Sequence, residues 1–264
     1  MSRRIAIVGR GLIGRSIELA LARVDPAADV IALDRDDDLA RAARADVILL
    51  CAPISENIRI LERLPSCVPG EALVTDTGST KRTTIAAAGA LPERLTFVGG
   101  HPMAGAASGG MTAASAELFQ RRPWILTPAR NTPPDRVVAL RRLLESLGAI
   151  VHIMDAGEHD RIVAYVSHLP QFVVSALMRT VGQAIGETGL ELAGPGLRDS
   201  TRLAASPPAL WRDIAESNSD KINPALDMLI ASLQELRDQP GEALARIFDD
   251  AARWKRVLER MGSK

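Results

Sequence analysis

Ile5-Ala6-Ile7-Val8-Gly9-Arg10-Gly11-Leu12-Ile13-Gly14 decides how the first half of the chain folds. Four apolar residues make a short strand, three glycines follow as G-x-G-x-x-G, and an amphipathic run from Ile13 to Val24 opens behind them. A lone G-x-G-x-x-G says little; between a strand and a helix it is a strong sign of dinucleotide binding. Gly9 permits the tight turn, Gly11 lets a pyrophosphate approach the backbone, and Gly14 lets helix and strand pack closely. The helix N-terminus then offers free N–H groups to the phosphates. Asp34, twenty residues past Gly14, ends the second apolar run. A carboxylate there accepts hydrogen bonds from the adenosine ribose hydroxyls, so NAD is expected over NADP. Arg35 beside it pulls the other way, because an arginine there serves a 2′-phosphate. Cys51-Ala52-Pro53 ends the next apolar run, at the sheet edge where a dinucleotide lies. The expected cofactor contacts are Gly9, Gly11, Leu12, Ile13, Gly14, Asp34, Ala52 and Pro53.

Outward from this unit the same alternation continues. Val30 to Leu33, Val47 to Ala52, Ala72 to Thr75, Leu95 to Val98, Trp124 to Leu126 and Ile150 to Ile153 read as strands. They are rich in Val, Ile and Leu without clean alternation, as in a parallel sheet buried on both faces. Helical patterns lie between them, such as Ser55 to Leu64 and Pro134 to Leu147; the latter stops at Gly148, a C-cap residue. Asp36-Asp37-Asp38 reads as a solvated helix start. The expected fold class is α/β: an N-terminal Rossmann-like, doubly wound, mostly parallel sheet over residues 1–154. After Asp155 the strand signals end. Glu158 to Thr188, Pro208 to Glu216 and Asp220 to Gly262 are helical, interrupted near Gly194-Pro195-Gly196 and Pro240-Gly241. Their apolar residues fall on more than one face, so residues 155–264 are expected to form an all-helical substrate and dimerisation domain.

Composition narrows the function classes. Lys+Arg 32 balances Asp+Glu 32, and aromatic residues are 3% of the 264. No basic stripe invites nucleic acid and no global field draws the chain to an anionic membrane. No apolar run approaches the ~18 residues that span a bilayer, and no cleavable signal precedes the first strand, so a cytoplasmic location is expected. Two cysteines, Cys51 and Cys67, are too few for a disulfide framework. Cys51 reads as a reduced core residue. No metal is expected.

Four constellations carry chemistry. Gly99-Gly100-His101-Pro102-Met103-Ala104-Gly105 sets an imidazole in a loop of small residues after a strand. His101 reads either as a group that moves a proton near neutral pH or as a turn-capping histidine. In Thr75-Asp76-Thr77-Gly78-Ser79-Thr80-Lys81, Ser79 either holds a substrate hydroxyl or caps the next helix, and Lys81 is a candidate anion contact. In the helical half, Ser167-His168-Leu169-Pro170 carries His168, read alone as a core histidine on a backbone carbonyl. Arg202, within Arg198 to Ser206, sits among apolar neighbours in sequence and calls for an anion; a substrate carboxylate suits its fork.

Together these segments resemble the prephenate/arogenate dehydrogenase family of tyrosine biosynthesis, from Gly9 to about Asn218. The shared signatures are G-x-G-L-I-G, D-x-G-S-x-K, G-G-H-P-M-A-G, L-F-x-x-R-x-W-I-L-T-P (Leu118 to Pro128), E-H-D (Glu158 to Asp160), S-H-L-P, and R-D-x-T-R-x-A-x-S with W-x-D-I. The resemblance implies NAD-dependent oxidative decarboxylation of prephenate to 4-hydroxyphenylpyruvate, CO2 and NADH, by a homodimer. It implies that His101 accepts the proton of the C4 hydroxyl and that Ser79 orients that hydroxyl. It further implies that Arg202 grips a substrate carboxylate, His168 is a second pocket histidine, and Trp211 shapes the pocket.

Three departures stand out. Ala107 replaces an acidic residue frequent in the family, Pro195-Gly196 replaces a glycine pair, and the stretch from Asp34 to Ala45 lacks a helix–strand excursion. The last leaves the adenine side more open. Arogenate, or both compounds, is the alternative substrate; Gln171, just after S-H-L-P, is neutral and decides nothing. A β-hydroxyacid dehydrogenase would rely on a lysine in the helical half, where only Lys221 precedes the extreme C-terminal segment. A non-catalytic NAD sensor need not keep His101, Ser79 and Arg202 together.

Overall fold

The computed structural model describes residues 3–105 and 111–262; Ala107 lies outside them. Two compact units emerge, Met1–Ser219 and Asp220–Lys264. The first holds a 7-stranded sheet of order β2-β1-β3-β4-β5-β6-β7. Its strands are β1 (Arg4–Val8), β2 (Asp29–Leu33), β3 (Val47–Leu50), β4 (Ala72–Asp76), β5 (Leu95–Pro102), β6 (Pro123–Pro128) and β7 (Ile150–Ile153). Every neighbouring pair is parallel except β5 with β6. All seven were legible as apolar runs, and the doubly wound, mostly parallel architecture is as expected.

The lack of alternation has its reason in the packing. Ile5, Ile7, Val47 and Leu49 point to one face, against α1 (Leu12–Val24) and α4 (Pro134–Ser146). Ala6, Val8, Ile48 and Leu50 point to the other, against α2 (Ile54–Cys67). Both faces are covered, so both residue parities must be apolar. Gly148 follows α4 with φ +90°, as its position past a helix end suggested. Asp38 caps the 3-10 turn Leu39–Ala42 by accepting from the Ala40 N–H, so the acidic run is indeed a solvated helix start.

β5 departs from the expected loop. It continues through Gly99, Gly100 and His101 to Pro102, because β6 returns antiparallel and pairs His101 with Ile125. The glycines belong to the strand for steric reasons. A Cβ on Gly99 would lie 2.4 Å from Thr127 Oγ1, and one on Gly100 would lie 2.6 Å from the Asp76 carbonyl oxygen.

The helical part of this unit contains α5 (Ala156–Val163), a π-helical turn (Ala164–His168), α6 (Leu169–Leu190), α7 (Pro195–Ser200) and α8 (Pro208–Ser217). One continuous helix from Glu158 to Thr188 is not what forms. Pro170 has no N–H to bond back, and the chain widens into a π turn just before it. Gly186, at φ +61°, breaks α6 near its end. The second unit consists of the remainder of α9 (Ser219–Asp238) and α10 (Pro240–Gly262), linked by an Arg246–Glu235 ion pair. No helix among the described residues is long and apolar enough to cross a membrane.

Candidate active site

The glycine turn forms one wall of a cleft of about 190 Å³ at the carboxyl ends of β1, β2 and β3. Gly9 has φ +106°, and its Cβ would lie 2.7 Å from the Cys51 carbonyl carbon. A Cβ on Gly14 would overlap the Gly9 carbonyl oxygen at 1.9 Å, so α1 presses directly on the turn. Gly11 differs: nothing lies within 4 Å of where its Cβ would be. That open position caps α1, whose first N–H groups receive no side-chain cap. A pyrophosphate fits this cradle on steric and dipolar grounds. Asp34 is exposed on the rim; its Oδ1 accepts from the Arg35 N–H at 2.8 Å, and its own N–H bonds to Asp37 Oδ2 at 2.8 Å. Ala52 and Pro53 line the same cleft, the Ala52 N–H held by Asn57 Oδ1 at 3.2 Å. Cys51 is a free, partly buried thiol whose pKa burial pushes up to about 12, consistent with an inert residue.

Further along the same edge, β4 and β5 end in a buried polar cluster. Asp76 and Lys81 form an ion pair with no exposure on either side chain. Lys81 Nζ also donates to the Gly100 carbonyl at 2.7 Å, and Asp76 accepts from the Gly78 and Gly100 N–H groups, both at 3.0 Å. The pair therefore clamps the loop before Ser79 to the strand segment before His101. Lys81 is consumed in this clamp and is not the anion contact it resembled. Nor does Ser79 cap α3 (Arg82–Ala88). The cap comes from a distant element: Asp160 on α5 accepts from the Lys81 N–H at 2.8 Å and the Arg82 N–H at 3.0 Å.

His101 is 8% exposed, and its Nδ1 lies 2.9 Å from His159 Nε2. His159 Nδ1 lies 2.8 Å from Asp160 Oδ1. His159 and Asp160 are fully buried. Burial, the neighbouring His159 and the Lys81 ammonium hold the His101 pKa well below the usual 6.5. Burial works to raise Asp160, but the hydrogen bonds from His159, Arg82 and Lys81 win and lower it. At neutral pH the cluster thus contains an uncharged His101 and an ionised Asp160.

His168 is buried in the π turn. The Asn218 amide is fixed because its Nδ2 donates to the Asp160 carbonyl at 2.9 Å while its Oδ1 accepts from Arg82 at 3.2 Å. Its Nδ2 is also 3.3 Å from His168 Nδ1. His168 therefore accepts at Nδ1 and carries its proton on Nε2, which is buried with no partner among the described residues. This differs from a core histidine bonded to a backbone carbonyl. Burial drops its pKa to about 4, against the pull of Asp160. Trp211 on α8 packs edge-on at 6.0 Å between ring centres, and its Nε1 is likewise buried and unpartnered among the described residues. Two N–H donors are thus left facing no protein acceptor, a costly state that a ligand oxygen relieves.

Not every expected residue joins this cluster. Ser79 is half-buried in the loop two residues before Lys81. Arg202 is exposed, makes no ion pair among the described residues, and is not in the dry surroundings its sequence neighbours suggested. Leu203 and Ala204 beside it are themselves only half-buried, so no apolar shell forms around it within one chain. Its segment is anchored by Gln171, which is 5% exposed. Gln171 donates to the Leu203 carbonyl and Ser175 Oγ and accepts from Ser206 Oγ, all at 3.0 Å. His159 was visible only as part of E-H-D, without a role; the Asp beside it was the available clue.

Comparison with known proteins gives this arrangement its family. The model for the prephenate dehydrogenase nucleotide-binding domain matches residues 9–153, and that for the prephenate dehydrogenase dimerization domain matches residues 155–249. Prephenate dehydrogenase of Bacillus subtilis is 35% identical over 95% of this chain and 75% of its own length. Cyclohexadienyl dehydrogenase of Zymomonas mobilis is 32% identical, covering 97% of this chain and 96% of its own. Prephenate dehydrogenase from A. aeolicus, solved with hydroxyphenyl propionate and NAD+, superposes with TM-score 0.86 at 26% identity, over 97% of this chain and 99% of that one. The glycine cradle, the buried histidines and most of the helical half lie within the matched ranges, so the chain belongs to the prephenate dehydrogenase family of oxidoreductases.

Proposed function

We propose that this chain oxidatively decarboxylates prephenate to 4-hydroxyphenylpyruvate and CO2 with reduction of NAD, and that His101 is the base. The observation that carries this is the buried imidazole of His101, held uncharged at neutral pH, with its Nδ1 2.9 Å from His159 Nε2. Gly11 and the first turn of α1 would hold the pyrophosphate of NAD and Asp34 its ribose; bound there, the cofactor would supply a hydride acceptor for C4. His101 Nε2 takes the C4 hydroxyl proton as that hydride departs, which leaves a dienone. Loss of the ring carboxylate as CO2 returns its bonding pair to the ring, and the oxygen recovers the proton from His101. Aromatisation makes the sequence effectively irreversible. Ser79 orients the hydroxyl, and the His168 and Trp211 N–H groups donate to substrate oxygens. Arg202 pairs with a carboxylate. Arogenate is the second substrate to be tested, since a cyclohexadienyl dehydrogenase is among the relatives and the neutral Gln171 decides nothing between the two compounds.

Residues 1–154 act as the dinucleotide-binding domain and residues 155–264 as the substrate and dimerisation domain of a homodimer. Val166, Ile185, Leu192 and Leu210 are 49% to 89% exposed in the single chain, more apolar surface than one helical face normally leaves in water. Arg202 reaches low-dielectric surroundings only if a second protomer covers it. Formation of NADH with prephenate and with arogenate, using NAD and NADP in turn, tests the reaction. His101→Asn should keep cofactor affinity and lose about 10²–10⁴-fold in kcat; near-full turnover would remove His101 as the base. Light scattering that finds only monomer at micromolar concentration would remove the homodimer.

A further inference from the structure

We propose that His159 and Asp160 are positioning residues that lock His101 in one tautomer, with its proton on Nδ1 and its lone pair on Nε2. This rests on the reading of His101 as the base. The order of donors follows from one fixed end. An ionised carboxylate only accepts. Asp160 Oδ1, 2.8 Å from His159 Nδ1, therefore requires a proton on that nitrogen. The imidazole tautomer that donates from Nδ1 presents a lone pair at Nε2, and His101 Nδ1, 2.9 Å away, donates to it. The opposite tautomer of His101 would set two lone pairs against each other inside the protein. Losing one buried hydrogen bond in this way biases the tautomers by roughly 10-fold or more.

Asp160 is well held for this task. It accepts from His159 Nδ1, from the Lys81 and Arg82 backbone N–H groups, and from Arg82 Nε at 3.1 Å. The carboxylate that orders the imidazoles is also the cap of α3, which begins three residues beyond Ser79. One group thereby ties the hydroxyl-bearing loop to the histidine-bearing strand. The rings of His101 and His159 meet edge-on, with centres 5.1 Å apart and planes at 74°, so the hydrogen bond also fixes the tilt of His101. The charged and titratable groups around His101 come from three sides. The end of β4 brings Asp76 and the loop after it Lys81, α5 brings His159 and Asp160, and the π turn brings His168. Burial and the Lys81 ammonium oppose a second proton on His101, while Asp160 acts through His159 to favour an imidazolium once it forms. Neither residue needs to touch substrate.

The test is the tautomer itself, read by 15N-histidine NMR on the full chain, alongside steady-state kinetics with NAD and prephenate. Wild type should show His101 protonated at Nδ1 and bare at Nε2. His159→Phe should give mixed His101 tautomers, lower kcat by about 10–100-fold and move the acid limb of kcat/KM, with KM for NAD little changed. His159→Gln, whose amide oxygen accepts from His101, should restore the tautomer and much of kcat. A wild-type His101 protonated at Nε2 overturns the proposal, whether or not the variants fold. So does a His159→Phe protein that melts earlier but keeps the wild-type tautomer and pH limb. Full turnover by His101→Asn would instead remove the base reading and leave the tautomer result standing.

Discussion

Lys81 carries an ammonium into a place with no exposure, and only Asp76 and a carbonyl make that tolerable. Burial lowers its pKa, while the Asp76 carboxylate works to raise it. Lys81→Met should leave Asp76 buried and uncompensated and destabilise the protein by about 3–5 kcal/mol. Combining it with Asp76→Leu should recover part of the loss. Urea unfolding gives both values; a single-variant loss under about 1 kcal/mol would mean the pair is not what holds the loop. Asp34 makes a different statement at the same scale. It is exposed, and one oxygen is spent on the Arg35 N–H. Asp34→Ala should therefore narrow the preference for NAD over NADP with little change in melting temperature, as read from kcat/KM for the two cofactors. A wild-type preference for NADP would transfer the role to Arg35.

Elements are tied to one another across the site by single polar side chains. Asp160 joins α5 to α3, Asn218 joins the end of α8 to α5, and Gln171 joins α6 to the turn carrying Arg202. The Gln171 amide is fully used by Ser175, Leu203 and Ser206. Gln171→Leu should remove the bonds that tie the Leu203 carbonyl and the Ser206 hydroxyl to α6, leaving them paired only within the turn, at about 0.5–1.5 kcal/mol for each bond lost. The turn should loosen, so KM for prephenate should rise several-fold while kcat moves less, because His101 lies on a different element. Gln171→Glu, which keeps two acceptors, should not restore the bond to the Leu203 carbonyl. An unchanged KM in both variants would separate the turn from substrate binding.

At the scale of the whole molecule, the buried histidines set the response to acid. His168 titrates at about 4 in the folded chain and His101 well below 6.5; both return to about 6.5 when unfolded. Between those values the unfolded chain binds protons that the folded chain refuses, so stability is full above pH 6.5 and falls as pH drops toward 4. His168 alone accounts for up to about 3 kcal/mol of that loss. Denaturant midpoints at pH 7.5 and 4.5 measure it. His168→Gln should flatten the slope; an unchanged slope would show that His168 is not the group responsible. Asp160 adds a further loss below 3.8, since its folded pKa is depressed.

The chain's own order of residues determined the sheet and the dinucleotide turn, because those depend on short-range facts. Four apolar residues, three glycines at fixed spacing and a periodic helix behind them specify a strand–turn–helix wherever they occur. His101, Ser79 and His168 stood out because polar side chains among glycines or in apolar helices are costly and therefore conspicuous. Tertiary structure alone decided which polar groups neutralise one another. Nothing local in Lys81 says that Asp76 and Gly100 will absorb its charge, or that Asp160, seventy-nine residues on, will cap the helix after it. Nothing local in His101 says that β6 will extend its strand or that His159 will meet its Nδ1. The exposure of Arg202 belongs with these, since an apolar sequence neighbour becomes an apolar environment only if the fold brings others around it. A side chain's type limits the bonds it is able to make, but its pKa and its tautomer come from partners that only the folded chain brings within 3 Å.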